Sequence, residues 1–103
     1  MEFMASWSEP SKLMNPIFAN TIAPEFRDDP VDFCMLDVDE FKDLARSLRV
    51  EALPTFLLVK EYYVKKRVVG VDKEELRDSI RGLLREFEQK KKDQLGEPSS
   101  NTA

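Results

Sequence analysis

Histidine is absent from this chain, and cysteine occurs once, at Cys34. Without histidine a serine nucleophile lacks its commonest general base, and nothing in the sequence places a lysine or carboxylate base beside one. A single thiol cannot close an intramolecular disulfide. One cysteine without histidine also supplies no ligand set for zinc or an iron–sulfur cluster, so neither a metal nor a cofactor is expected. No window approaches the roughly eighteen apolar residues of a membrane span, and the opening residues lack the basic start and apolar run of a secretory signal. The expectation is a cytoplasmic protein that does not engage the membrane. Nor does positive charge dominate: the net charge is -4, which disfavours nucleic acid, whose affinity comes from clustered lysine and arginine. The basic runs Lys65-Lys66-Arg67 and Lys90-Lys91-Lys92 read as a solvated strand end and a solvated helix end.

What is present suffices for one core. With 103 residues and 42% hydrophobic content, the chain is expected to form a single α/β domain over 1–90, followed by a charged helix end and disordered tail over 91–103. Leu13, Met14, Ile17, Phe18 and Ile22 fall at helical spacing and predict one helix over Ser11 to Ile22, kinked at Pro16 and ended near Ala23. Val31 to Val38 is a run of β-formers apolar on both faces, expected as a strand covered on each side. Asp39 is placed to cap a helix over Glu40 to Leu48 with Phe41, Leu44, Ala45 and Leu48 inward. Thr55 to Val59 and Val64 to Val69 predict a hairpin around Glu61-Tyr62-Tyr63. Asp72 with Glu75 reads as a capping box before a helix with Leu76, Ile80, Leu83, Leu84 and Phe87 on one face, fading near Lys92.

Trp7-Ser8-Glu9-Pro10-Ser11 and Leu53-Pro54-Thr55-Phe56 carry the strongest local signal. With Asn15-Pro16-Ile17-Phe18, Leu36-Asp37-Val38-Asp39-Glu40 and Val69-Gly70-Val71-Asp72, they make the chain resemble the thioredoxin superfamily, in wording close to plant cytosolic thioredoxins of the h type. The resemblance implies a central mixed sheet flanked by helices and a cis bond before Pro54 facing the motif. It also implies a shallow docking surface made by Trp7, Pro10, Leu53, Pro54, Gly70 and Val71, where an extended peptide or protein partner would pair.

The same resemblance exposes departures. Ser8 and Ser11 stand where the family has its two working cysteines, with Glu9 for the glycine between them. A thiolate attacks and a second thiol resolves in disulfide exchange, and a hydroxyl does neither. No catalytic residue is therefore expected. Glu2 corresponds to the family's buried aspartate and is left without an acid–base task. Tyr62 replaces the hairpin glycine, predicting a longer or looser turn. The family's first strand and first helix are not matched, so a truncated version of the fold is expected, with an unpaired strand edge through which two copies could pair. Three readings of function follow: a redox-inactive protein interaction module, residual thiol chemistry at Cys34, or a shortened product without selected activity. A strand cysteine is ordinarily inert packing. The missing neighbour would leave Cys34 more accessible than that.

Serine at these positions has its own logic. Ser8 can cap the helix, worth on the order of 1 kcal/mol over alanine, with Glu9 beside the positive end of the dipole and Pro10 tolerated in the first turn.

Overall fold

A computed structural model describes residues 1–101, with side chains described through residue 93. Four strands form one mixed sheet in the order β2-β1-β3-β4. β1 (Glu2–Met4) lies parallel to β2 (Met35–Asp37) and antiparallel to β3 (Thr55–Lys60), which pairs antiparallel with β4 (Tyr63–Val69).

Alternation along β3 divides the core between two faces. Phe56 and Leu58 point to one face, where Met14, Phe18, Ile22, Phe26, Val68, Leu76 and Ile80 complete the larger cluster. Phe18 is its hub, with ring centroids 5.2 Å from Phe56 and 5.5 Å from Phe33. Leu57 points the other way, into a small cluster with Phe3 and Ala45.

The first helical rod covers the larger cluster. It begins as α1 (Glu9–Ile17), widens into a π-helical turn over Phe18–Ile22, and finishes as α2 (Ala23–Glu25). Pro16 cannot donate to the helical ladder, and the hydrogen bonds re-register just beyond it into the wider turn. Pro24 opens the last turn instead of ending the rod before it, because proline's fixed φ suits a first helical position. Arg77 fastens this rod to the last helix, Nε donating to Glu25 Oε2 at 2.7 Å and Nη1 to Glu74 Oε1 at 2.6 Å.

Other local expectations change as well. The strand expected over Val31 to Val38 pairs only at Met35–Asp37. β propensity describes a side chain's fit to a sheet, whereas strand length depends on the partner, and β1 offers only Glu2 to Met4. The second helix, α3, is Lys42–Ser47, with no side-chain cap, and buries only Ala45. Phe41 and Leu44 stay exposed and Leu48 is half-buried. The hairpin is tight, turning on Glu61 and Tyr62 at φ of 53° and 72°. Left-handed conformations at both central positions match the right-handed twist of the flanking strands, so turn geometry prevails over residue preference. A bulge near Leu58 and Val59 takes up the register change.

The last helix, α4, opens as expected: Asp72 Oδ1 accepts from Glu75 N at 3.0 Å. It runs over Lys73–Asn101, past the Lys92 where the apolar stripe gives out. The glutamate, glutamine and lysine run after Phe87 consists of good helix formers that need no apolar face. Of the expected tail, side chains from residue 94 onward and all of residues 102 and 103 lie outside the described residues. No helix among those described is long and apolar enough to cross a membrane.

Candidate functional site

β1, β2 and β4 finish, and β3 begins, at one end of the sheet, where Met4 faces Asp37 and Thr55 faces both Phe3 and Val69. The loops over residues 5–8, 38–41, 48–54 and 70–72 converge there. They bring Trp7, Pro10, Leu53, Pro54, Gly70 and Val71 to the same end of the molecule.

The start of α1 is self-contained. Ser8 has extended backbone angles (φ -92°, ψ 115°), and its Oγ accepts from Ser11 N at 3.3 Å, the bond an N-cap makes to the third helical residue. Ser11 is fully buried, and its own Oγ accepts from Ala5 N at 3.3 Å. Both hydroxyls are engaged in holding the loop to the helix. Glu9 pairs with Lys12 at 3.0 Å on the exposed side of the first turn.

A carboxyl group lies buried beneath this turn. Glu2 is wholly inaccessible, and the Asn15 amide, oriented by its partners, donates to Glu2 Oε2 at 2.8 Å and to the Ser11 carbonyl at 2.8 Å. Burial pushes the Glu2 carboxyl up to about 7, opposed by the neighbouring Met1 amino group. The sequence placed Glu2 as the counterpart of a buried acid. It held no signal that Asn15 would be its partner, because that contact is formed by the packing of α1 against β1.

Trp7 stands out from the surface at 64% exposure. Its indole Nε1 donates to Asp39 Oδ2 at 2.9 Å, and Asp39 N is in turn held by Asp37 Oδ1 at 2.8 Å. Asp39 is therefore not the cap of α3. Its carboxylate instead fixes the orientation of a residue in a different loop.

The wall facing this loop begins at the cis Leu53–Pro54 bond. The Pro54 carbonyl accepts from Gly70 N at 2.8 Å, tying the two loops together. Gly70 has φ of 93°, a conformation that strains any residue with a Cβ. Of the six residues expected to line the surface, Trp7, Pro10 and Val71 are exposed, while Leu53 and Gly70 are half-buried. The Pro54 ring is buried. It shapes the wall from behind, since β3 begins immediately after it and draws the ring into the sheet.

Cys34 belongs elsewhere. Its carbonyl accepts from Glu2 N at 2.9 Å, which places it at the far end of β1 from the motif. The residue is exposed, unlike an inert strand cysteine packed in a core. It borders an apolar cavity of about 340 Å³ between β3, α4 and residues 30–34.

The family model for thioredoxin matches residues 1–82. The chain belongs to the thioredoxin family. It is 45% identical over 83 residues to thioredoxin H2-1 of Oryza sativa subsp. japonica, a match covering 81% of this chain and 58% of that protein. It is 40% identical to thioredoxin H2 of Arabidopsis thaliana, spanning 60% of that protein's length. Among solved structures it resembles thioredoxin NaTrxh from Nicotiana alata, with a TM-score of 0.73 and 42% identity over 79% of this chain and 68% of that one. This is a thioredoxin-family protein similar to plant h-type thioredoxins.

Proposed function

We propose that this thioredoxin-family chain is a redox-inactive docking module that holds an extended peptide segment of a cytosolic partner. The observation that carries the reading is the pairing of an exposed, hydrogen-bonded Trp7 and the Pro54–Gly70 wall with two hydroxyls, Ser8 and Ser11, at the helix start. On the family resemblance, those serines take the place of the two working cysteines. With Cys34 the only thiol, and at the other end of β1, no dithiol is available for exchange. An exposed aromatic anchor beside the loops that frame the start of β3 supports the docking half of the reading.

Insulin reduction tests the redox half. The protein is expected to give no turnover above buffer, and clear catalysis would overturn the reading. The Ser8→Cys/Ser11→Cys double variant is expected to gain activity. Affinity purification tests the docking half: identical partner lists from wild type and Trp7→Ala would count against the surface.

The exposure of Cys34 favours one second reading, single-thiol chemistry such as a mixed disulfide formed with a partner's disulfide or with oxidised glutathione. Titrating the native protein with a thiol reagent checks it. Silence until denaturant is added would end it.

A further inference from the structure

The docking surface carries a charge pattern that points to the chemistry of its occupant. Glu9, Asp39, Glu40, Glu51 and Asp72 all lie in the loops or first turns at this end of the sheet, and all are exposed. The cations there are Lys12, Lys42, Arg49 and Lys73, and the Arg67 guanidinium reaches the same end, where it donates to the Leu48 and Arg49 carbonyls. Some of these acids serve the fold: Glu9 is paired with Lys12, and Asp72 caps α4. Asp39 is different, because its partner is the exposed aromatic anchor itself.

Asp39 Oδ2 receives the Trp7 indole at 2.9 Å, and among the described residues Oδ1 takes no side-chain hydrogen bond apart from any that solvent supplies. The ring is fixed at its Nε1 edge, and its 64% exposure leaves a face open. A flat, electron-rich indole beside a carboxylate with a free oxygen is suited to a guanidinium, which stacks on an aromatic face while donating in its own plane to a carboxylate. Building on the docking reading above, we infer that Trp7 and Asp39 together select an arginine side chain in the docked extended peptide. If Asp39 did no more than orient Trp7, a neutral acceptor in its place would serve equally well, and the two roles can be separated.

Trp7 is the only tryptophan in the chain, so its fluorescence reports directly from the site. The full chain is titrated with a blocked heptapeptide of glycine, serine and valine carrying a central arginine, and with a twin carrying citrulline, its neutral isostere. At low salt the arginine peptide is expected to bind about tenfold tighter, the sum of a stacked cation and an exposed ion pair. The gap should narrow at high salt. Asp39→Asn keeps an oxygen for the indole but loses the charge, and is expected to reduce the preference to about threefold, the part left to stacking. Equal binding of both peptides to wild type leaves the docking surface standing and overturns the arginine preference. A preference unmoved by Asp39→Asn overturns the assignment to that carboxylate. If neither peptide perturbs Trp7, the docking reading falls and this inference falls with it. The salt dependence of wild type decides the charge question even if the variant folds poorly.

Discussion

The two faces of the sheet differ in depth. One face is covered by the rod of α1 and α2 together with α4, and holds nine buried apolar residues with Phe18 at their centre. The other is covered by the short helix α3 and holds Phe3, Ala45 and Leu57, surrounded by half-buried Leu36, Val38, Leu48, Val50 and Leu53. The deep face also contains the one fully buried carboxyl group among the described residues, Glu2, directly opposite Phe56 in the strand register. Most of the packing energy and the largest electrostatic cost thus lie on the same side, beneath the helix that presents the motif. The start of α1 rests on the deep face through Met14, whereas the loops over residues 38–41 and 48–54 are anchored on the shallow face through Val38, Leu48, Val50 and Leu53.

Neighbouring residues of β3 test this most directly. Phe56→Ala is expected to cost about 4 kcal/mol and Leu57→Ala about 2 kcal/mol, because the shallow layer already borders solvent and relaxes around the lost volume. Urea denaturation of both variants measures the difference, and a larger loss at Leu57 would invert the comparison.

Glu2→Gln isolates the electrostatic cost. A carboxyl whose folded value is raised from 4.5 to about 7 stays protonated in the native state while the unfolded chain ionises. The contribution of Glu2 to wild-type stability is therefore full below about pH 4.5, falls between 4.5 and 7, and is level above that. The variant should equal wild type near pH 4 and exceed it by about 3 kcal/mol at pH 8. Denaturation at the two pH values checks it, and a difference independent of pH would place the cost elsewhere.

Smaller changes sharpen the picture. Ser8→Ala removes the cap that anchors α1 over the deep face and is expected to cost about 1 kcal/mol by the same measurement. Tyr62→Gly relieves one left-handed residue in the hairpin and should stabilise by about 1 kcal/mol. The hairpin contributes to both faces, so this gain should leave the Phe56 and Leu57 losses unaltered. If their ratio shifted, the hairpin would be coupled to one layer.

Much of the fold was legible in the sequence because its determinants are local. Ser8, Asp72 and the spacing of Leu76 and Ile80 announce where helices start and which way they face. The cis bond before Pro54 was legible only through family resemblance. Strand length at Val31 to Cys34 was not legible, since it depends on how far β1 reaches. Asp39 looked like a cap because capping is the commonest use of an aspartate before a helical pattern. Its bond to Trp7 spans 32 positions and exists only once both loops are placed. The Glu2–Asn15 contact eluded the sequence for the same reason. The tight turn at Glu61 and Tyr62 went against residue preference because two paired strands outweigh the strain of two residues.

The π-helical turn after Pro16 has a consequence for how the rod is wound. Met14, Phe18, Ile22 and Phe26 are all buried, a strict stride of four residues. In a regular α-helix each such stride overshoots a full turn by about 40°, because successive residues advance by about 100°. Three strides would carry Phe26 about 120° around the cylinder from Met14. The widened turn over Phe18–Ile22 advances less per residue and winds that overshoot back. One missing hydrogen-bond donor at Pro16 thereby acts as a phase correction, keeping four large side chains in line over the sheet.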